Sequence, residues 1–517
     1  MNNILKASDW SVVILYVLIV AFLSLYSKFG RRQDADEYLV AGRSMNWVVV
    51  GLAVFATLFS TISFVSIPGE AYNFGMGMMI LNAGQILFLP LAIYLFLRFF
   101  FVAPTFTAYE YLERRYNRSC RMIAAAIFIL IRLFYTGGVF YAAAVIFESL
   151  AGWPPLLTVA VIGSFTIAYT LIGGVRAVIM ADVIQSIIII GSIGAILFRL
   201  LQVTGFDPGT VLSFAHAHDK TFEIFTNPSF YRLDVHDRWN FYLLVYGLLL
   251  LPLMTMSCDQ LVIQRLLAGK NYREAVRSCY TNYILSIPVV GMLYLIGVFL
   301  FYYYNSGIAV LPEGIRGDQV LGHFISHELP TPFPGLIVTA LLAALMSTVA
   351  GAVNSLVTVF FKDVVSPLRP LLAGTTMEIR FCRILTVTGG IMALAVTALM
   401  VILGQGVRTT LMEVINVWSN LWPILFVAFL YGVLSEKISA KAILITLALG
   451  GVINIVFPYV MYYMMPEEQR WGFQWLGLPG LAVSLILPPL LSSIWPNRRK
   501  LDGLTLKSIE KVPQKER

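Results

Sequence analysis

Oxygen-bearing side chains gather at a few points of a chain that is otherwise apolar. The stretch ALLAALMSTVAGAVNSLVTVF (340–360) sets Ser347 and Thr348 beside a face of Ala340, Ala343, Ala344, Ala350 and Gly351. Small residues at helical spacing let another helix approach closely. Hydroxyls next to such a seam suit a hard cation such as sodium, which prefers oxygen ligands; a plain packing seam with incidental hydroxyls is the more common explanation of any single seam of this kind. Two further stretches combine hydroxyls with helix-disturbing residues. GLAVFATLFSTISFVSIPGEAY (51–72) carries Thr57, Ser60, Thr61 and Ser63 and then Pro68-Gly69, while LLLLPLMTMSCDQ (248–260) carries Pro252, Thr255, Ser257 and Asp259. At membrane depth an interrupted helix exposes backbone carbonyls that need a ligand or a cavity. A proline kink with hydroxyls bonded back to their own helix is the plain alternative.

Ionisable groups in apolar surroundings are costly and weigh more. Asp182, in RAVIMADVIQS, fits a cation ligand on the inner path or a partner for Arg176. Arg132, followed by Tyr135 and Thr136, fits a receptor for a substrate carboxylate or one member of a structural ion pair. Asn82 and Gln85, one turn apart, suit a hydroxyl- or amide-bearing solute, or helix–helix adhesion.

These residues are positioned by a series of apolar segments. Hydrophobic residues make up 58% of the 517 residues and charged ones 12%, against about 45–50% and about 25% in soluble domains. Hydropathy predicts thirteen spans, near 9–28, 45–66, 74–98, 121–148, 154–172, 177–201, 241–263, 279–304, 335–361, 381–404, 411–433, 440–463 and 473–494. The connections 203–240 and 305–334 read as loops, and the first segment reads as a retained helix rather than a signal peptide. Of the 36 Lys and Arg, 27 fall on one side and 7 on the other, with Arg132 and Arg199 inside spans. Basic residues stay cytoplasmic, which predicts an N-terminus outside and a C-terminus inside, in a plasma membrane (for a bacterium, the inner one). The interrupted segments are spans 2 and 7. Five spans apart, they cross in opposite directions, as the first helices of two inverted repeats would.

The same features exclude other classes. The charges follow the loops and form no basic face for nucleic acid. The five histidines and four cysteines show no catalytic or metal-ligand spacing, so no enzyme is expected. A channel would need a carbonyl filter or an acidic ring, and neither is visible.

Several motifs in order give the chain a wider likeness. TAYEYLERRY (107–116), AYTLIGGVRAVIMADVIQ (168–185), DQLVIQRLLAGKNYREA (259–275), AALMST (343–348) and the Asn354-Ser355 pair make residues 9–465 resemble the sodium/solute symporter family. Val175 after the glycine pair is a small departure. The resemblance implies an all-α LeuT-like fold. A leading helix (9–28) precedes two inverted five-helix repeats (45–201 and 241–433), followed by trailing helices (440–494) and a basic cytoplasmic tail (495–517). It implies sodium-coupled symport of a small organic solute by alternating access, in a single transmembrane domain expected to work as a monomer. The sodium site it implies uses the carbonyls of Ala56, Phe59 and Ala344 and the hydroxyls of Ser347 and Thr348, with Asp182 available to a second ion. The implied solute positions are Leu58, Ser60, Ser63, Asn82, Gln85, Tyr135, Thr255 and Asn416. Leu58, Ile62, Asn82, Thr255 and Ile415 stand where sugar-transporting members carry other residues, which argues against a glucose-type pocket. SIPGEAY (66–72) and LFYTGGVFYAAA (133–144) lie closer to the anion and monocarboxylate branch. With Arg132 nearby, the expectation is a carboxylate-bearing solute: a monocarboxylate, sugar acid or amino acid. A neutral sugar is the alternative.

Overall fold

The computed structural model describes residues 5–27, 34–102, 105–315, 317–368, 376–404, 420–499 and 501–509. Among them the regular elements are all helices. Eight are long and apolar enough to cross a bilayer alone, and three more pairs do so across a bend. The thirteen crossings expected from hydropathy are reached only by dividing Pro155–Val203 at Gly174 and by counting Trp422–Leu434, the described part of span 11.

The division at Gly174 is physical. A straight 49-residue helix would run about 74 Å at 1.5 Å per residue, more than twice the hydrocarbon thickness. Gly174 instead takes φ 59°, ψ −156°, a region closed to side-chain-bearing residues. It reverses the chain. Trp153, just before the helix, stacks on Trp10 at 5.7 Å, and Arg199 near its end donates to the Glu328 carbonyl at 2.8 Å. Asp9 accepts from the Gly335 amide on that same face. The Gly173-Gly174 turn lies at the other end of span 1, beside Ser24 and Ser27. Spans 5 and 6 are therefore a hairpin with its turn on the basic face.

Spans 2 and 7 are broken, but not at their prolines. Span 2 is Trp47–Leu58 and Thr61–Phe74, bent by 65°, and Pro68 lies inside the second half. Span 7 is Phe241–Ser257 and Gln260–Leu267, bent by 57°, with Pro252 inside the first half. Each break occurs where a polar side chain caps the second half. The Ser60 Oγ accepts from the Ser63 amide at 3.2 Å, and an Asp259 carboxylate oxygen accepts from the Leu261 amide at 3.0 Å. Capping satisfies amides that a continuous helix would have used, so these residues, rather than the prolines, decide the breaks. Span 3 is also bent, by 50°, as Met79–Leu87 and Leu89–Phe101. Two expected loops are partly helical, with Pro208–Ala217 in the first and Gly317–Glu328 in the second.

Span 9, Phe333–Val359, is the hub. In its most apolar window 94% of residues are buried inside the protein, against 28% for span 1. Its alanines and Gly351 permit this.

Candidate ion and solute site

The break in span 2 lies against the middle of span 9. Phe59 leaves the helix at φ −83°, ψ 98°, and the amides that would have closed the carbonyls of Ala56–Phe59 turn elsewhere; that of Ser63 goes to the Ser60 hydroxyl. Open carbonyls thus face a helix bearing Ser347 and Thr348. The two sides meet directly, since the Thr348 hydroxyl lies 3.4 Å from the Thr57 carbonyl oxygen and the Thr57 and Ser347 hydroxyls are 3.4 Å apart. Ala56, Ala344 and Ser347 are fully buried, and Thr57, Thr348 and Phe59 nearly so. Buried carbonyl and hydroxyl oxygens suit a hard cation such as sodium. Thr57, read in the sequence only as a mid-span hydroxyl, sits at the centre of this group.

Asp182 stands on the basic side of that group. One carboxylate oxygen accepts from Ser347 at 2.6 Å, and the other faces Thr57 at 3.4 Å and Arg265 at 3.0 Å. Arg176 is not its partner; that side chain pairs with Glu37 and holds the Ala41 carbonyl at 2.6 Å. Arg265 was counted with a loop, yet it lies in the second half of span 7, only 2% exposed, with its guanidinium against Gly351. The signal for it was present. The break in span 7 shifts the rest of that helix inward, so a residue just beyond the hydropathy window is still at depth.

The expected solute positions separate into two groups. Ser60, Ser63 and Tyr135 come together at the break of span 2: the Ser60 and Ser63 hydroxyls are 3.2 Å apart and Tyr135 reaches Ser60. Asn82 and Gln85 turn toward span 8, where they meet Tyr294 and Tyr283. Asn416 and Ile415 lie outside the described residues. Arg132 is engaged, its guanidinium 2.5 Å from Asp259 and framed by the rings of Phe128, Tyr135 and Trp422 at 5.5 Å each. That geometry gives Arg132 its counter-ion inside the protein and fits the ion-pair reading. Thr255 donates to the Leu251 carbonyl at 2.8 Å and lines a cavity of about 350 Å³ with Leu81, Trp239, Tyr246, Asp259 and Trp422.

The chain is similar to known proteins. The family model "sodium:solute symporter family" matches residues 38–450. The human sodium/iodide cotransporter is 27% identical over 90% of this chain and 71% of its own. The sodium/sialic acid symporter of Proteus mirabilis is 28% identical over 74% of this chain and 76% of its own. The sodium-coupled monocarboxylate transporter 1 of Xenopus laevis is 26% identical over 69% and 59%. Among solved structures, a substrate-bound, outward-open sodium-coupled sialic acid symporter superposes with a TM-score of 0.85 at 23% identity, covering 96% of this chain and all of the other. A nucleobase-cation-symport-1 family transporter superposes at 0.51 and 12% identity, over 89% and 94%. With interrupted spans 2 and 7, buried oxygens where span 2 meets span 9 and a family match over most of its length, the chain belongs to the sodium:solute symporter family and is a sodium-coupled membrane transporter of a small solute, not an enzyme.

Proposed function

We propose that the chain imports a carboxylate-bearing organic solute, with sodium bound by the Ala56, Phe59 and Ala344 carbonyls and the Ser347 and Thr348 hydroxyls. The observation that carries the ion site is the buried juxtaposition of the helix break at Phe59 with the Ser347-Thr348 pair of span 9. The basic face is cytoplasmic, with the N-terminus outside, in a plasma membrane. The solute class is supported by the relatives, whose named cargoes include iodide, sialic acid and monocarboxylates, all anions at neutral pH. Because Arg132 is neutralised by Asp259, the solute carboxylate is received by Ser60, Ser63 and Tyr135 and by the positive end of the helix beginning at Thr61.

Sodium bridging spans 2 and 9 favours the conformer in which both are in contact, and separation of those spans on opening to the basic face weakens the site. An inside-negative potential adds about 2.3 kcal/mol per charge per 100 mV to accumulation. The test is uptake into proteoliposomes by the Ser347→Ala, Thr348→Ala double variant. Loss of two of five oxygens raises the half-saturating sodium concentration by at least about tenfold, a cost of about 1.4 kcal/mol. A folded double variant with the parent's sodium dependence would remove this site assignment.

A further inference from the structure

The second half of span 3 approaches the basic face at Arg98. A five-residue π-helical turn, Ile93–Leu97, leads into that residue. Such turns are rare and gather at functional positions. The guanidinium lies over the Tyr94 ring at 4.7 Å and the Phe99 ring at 5.5 Å. Tyr272, which opens span 8, stands within its electrostatic reach and packs on Phe101 with ring centroids 6.0 Å apart. Arg98 thus sits where spans 3 and 8 meet, beside a loop end that carries the exposed Lys270 and Arg273.

The Nε and Nη2 of Arg98 are buried without a hydrogen-bond partner among the described residues. Glu274, in the first turn of span 8, is already engaged: it accepts from the Trp47 amide at 3.1 Å and pairs with Arg277 at 3.2 Å. An arginine near a membrane surface ordinarily extends its head into water. These two nitrogens lie out of water's reach, with rings over the guanidinium. Native structures rarely leave a buried donor unmatched, and a charged one is costly. The group that answers a planar guanidinium best is an anion with paired oxygens, above all a phosphate, held by two parallel bonds. Arg98 is only partly buried and Tyr94 is exposed, so an anion reaches the fork once that ring swings aside.

The surface leading to Arg98 says what carries the phosphate. Leu91 and Tyr94, one turn apart, are exposed, and so is Leu87 just before the bend of span 3. In a chain that spans a bilayer such a surface faces acyl chains. A soluble phosphate gains nothing from it, whereas a phospholipid fits both parts, with a chain along Leu87 and Leu91 and its phosphate at the fork. We propose that Arg98 is the phosphate receptor of a binding site for an anionic glycerophospholipid, in the leaflet on the basic face. Lys270 and Arg273, flanking Tyr272, select a headgroup of net negative charge over a zwitterionic one. A lipid seated there joins the end of span 3 to the start of span 8.

Native mass spectrometry and thermal unfolding of the delipidated full chain in detergent test it. The probes are dioleoyl phosphatidylglycerol, dioleoyl phosphatidylcholine and glycerol phosphate. Phosphatidylglycerol is expected to bind at least about tenfold more tightly than phosphatidylcholine and to raise the melting temperature. Glycerol phosphate, the same headgroup chemistry without chains, is expected to do neither. Arg98→Gln should abolish the preference, and Arg98→Lys, which keeps the charge but not the fork, should weaken phosphatidylglycerol binding about threefold. Arg118→Gln, at an exposed position just before span 4, should leave the preference intact and controls for net charge. Equal binding of the two lipids by the parent would overturn the proposal. So would a preference kept in Arg98→Gln, or stabilisation by glycerol phosphate equal to that by the lipid. Should Arg98→Gln fail to fold, undiminished binding in Arg98→Lys would overturn it.

Discussion

The Asp182–Arg265 pair is the contact whose loss has the most direct consequence. It joins span 6 to the second half of span 7 directly below Ser347, with Asp182 fully buried and Arg265 2% exposed. Asp182→Asn leaves a buried guanidinium without its counter-ion. Removing one partner of a buried pair costs about 3–5 kcal/mol in the conformation that buries it. A conformer open to the basic face lets Arg265 reach water and avoids that cost. At about 1.4 kcal/mol per decade, the ratio of open to closed protein rises roughly a hundred- to several-thousand-fold. Ser355→Cys is a suitable reporter, on the same face of span 9 one turn beyond Gly351 and fully buried. Background is low because Cys120, Cys258, Cys279 and Cys382 are all buried. The rate of maleimide labelling from the basic face, in sodium-free buffer, reads the open fraction. Asp182→Asn should raise it by at least about a hundredfold, and adding Arg265→Met, which replaces the orphaned charge by an apolar chain, should return it toward the parent. Labelling in the single variant within about threefold of the parent would show that the pair does not hold this face closed.

Two further outcomes follow from the same geometry. Arg132→Gln should lower the thermal stability of the purified protein and impair uptake, while Arg132→Gln with Asp259→Asn should recover much of both, because the buried pair is then removed as a unit; a double variant as inactive toward carboxylates as the single one, but stable, would make Arg132 a solute ligand instead. Gly174→Ala should destabilise the hairpin of spans 5 and 6 by about 1–3 kcal/mol from backbone strain alone, more because its Cβ would lie 2.8 Å from Tyr38. A melting temperature equal to the parent's would refute that.

The fold was legible because the bilayer demands continuous apolar segments and the loops carry charge. The breaks were legible only as to which spans held them. Their exact places were not, since a proline inside a helix bends it while a capping Ser60 or Asp259 ends it. The hydroxyls on spans 2 and 9 could be found because hydroxyls are scarce in such surroundings. The partners of the charged residues could not be. Asp182 with Arg265, and Arg132 with Asp259, are separated by 83 and 127 residues, and only the tertiary arrangement chooses among the arginines within reach.

The Asp182 carboxylate limits how many cations the inner pocket can hold at once. In this conformer one oxygen accepts from Ser347 and the other faces Thr57 and Arg265, so the guanidinium occupies the side from which a second ion would approach. Arg265 is in effect a tethered cation at the position where Asp182 would bind a free one. A second sodium on Asp182, Ser347 and Thr348 would therefore require Arg265, carried by the second half of span 7, to withdraw. If span 7 were to move away from span 6, Asp182 would be free to exchange its fixed positive partner for a mobile cation. On this argument a single sodium is bound while the basic face is closed, and Arg265→Met should raise the apparent sodium stoichiometry of binding in the closed state from one toward two.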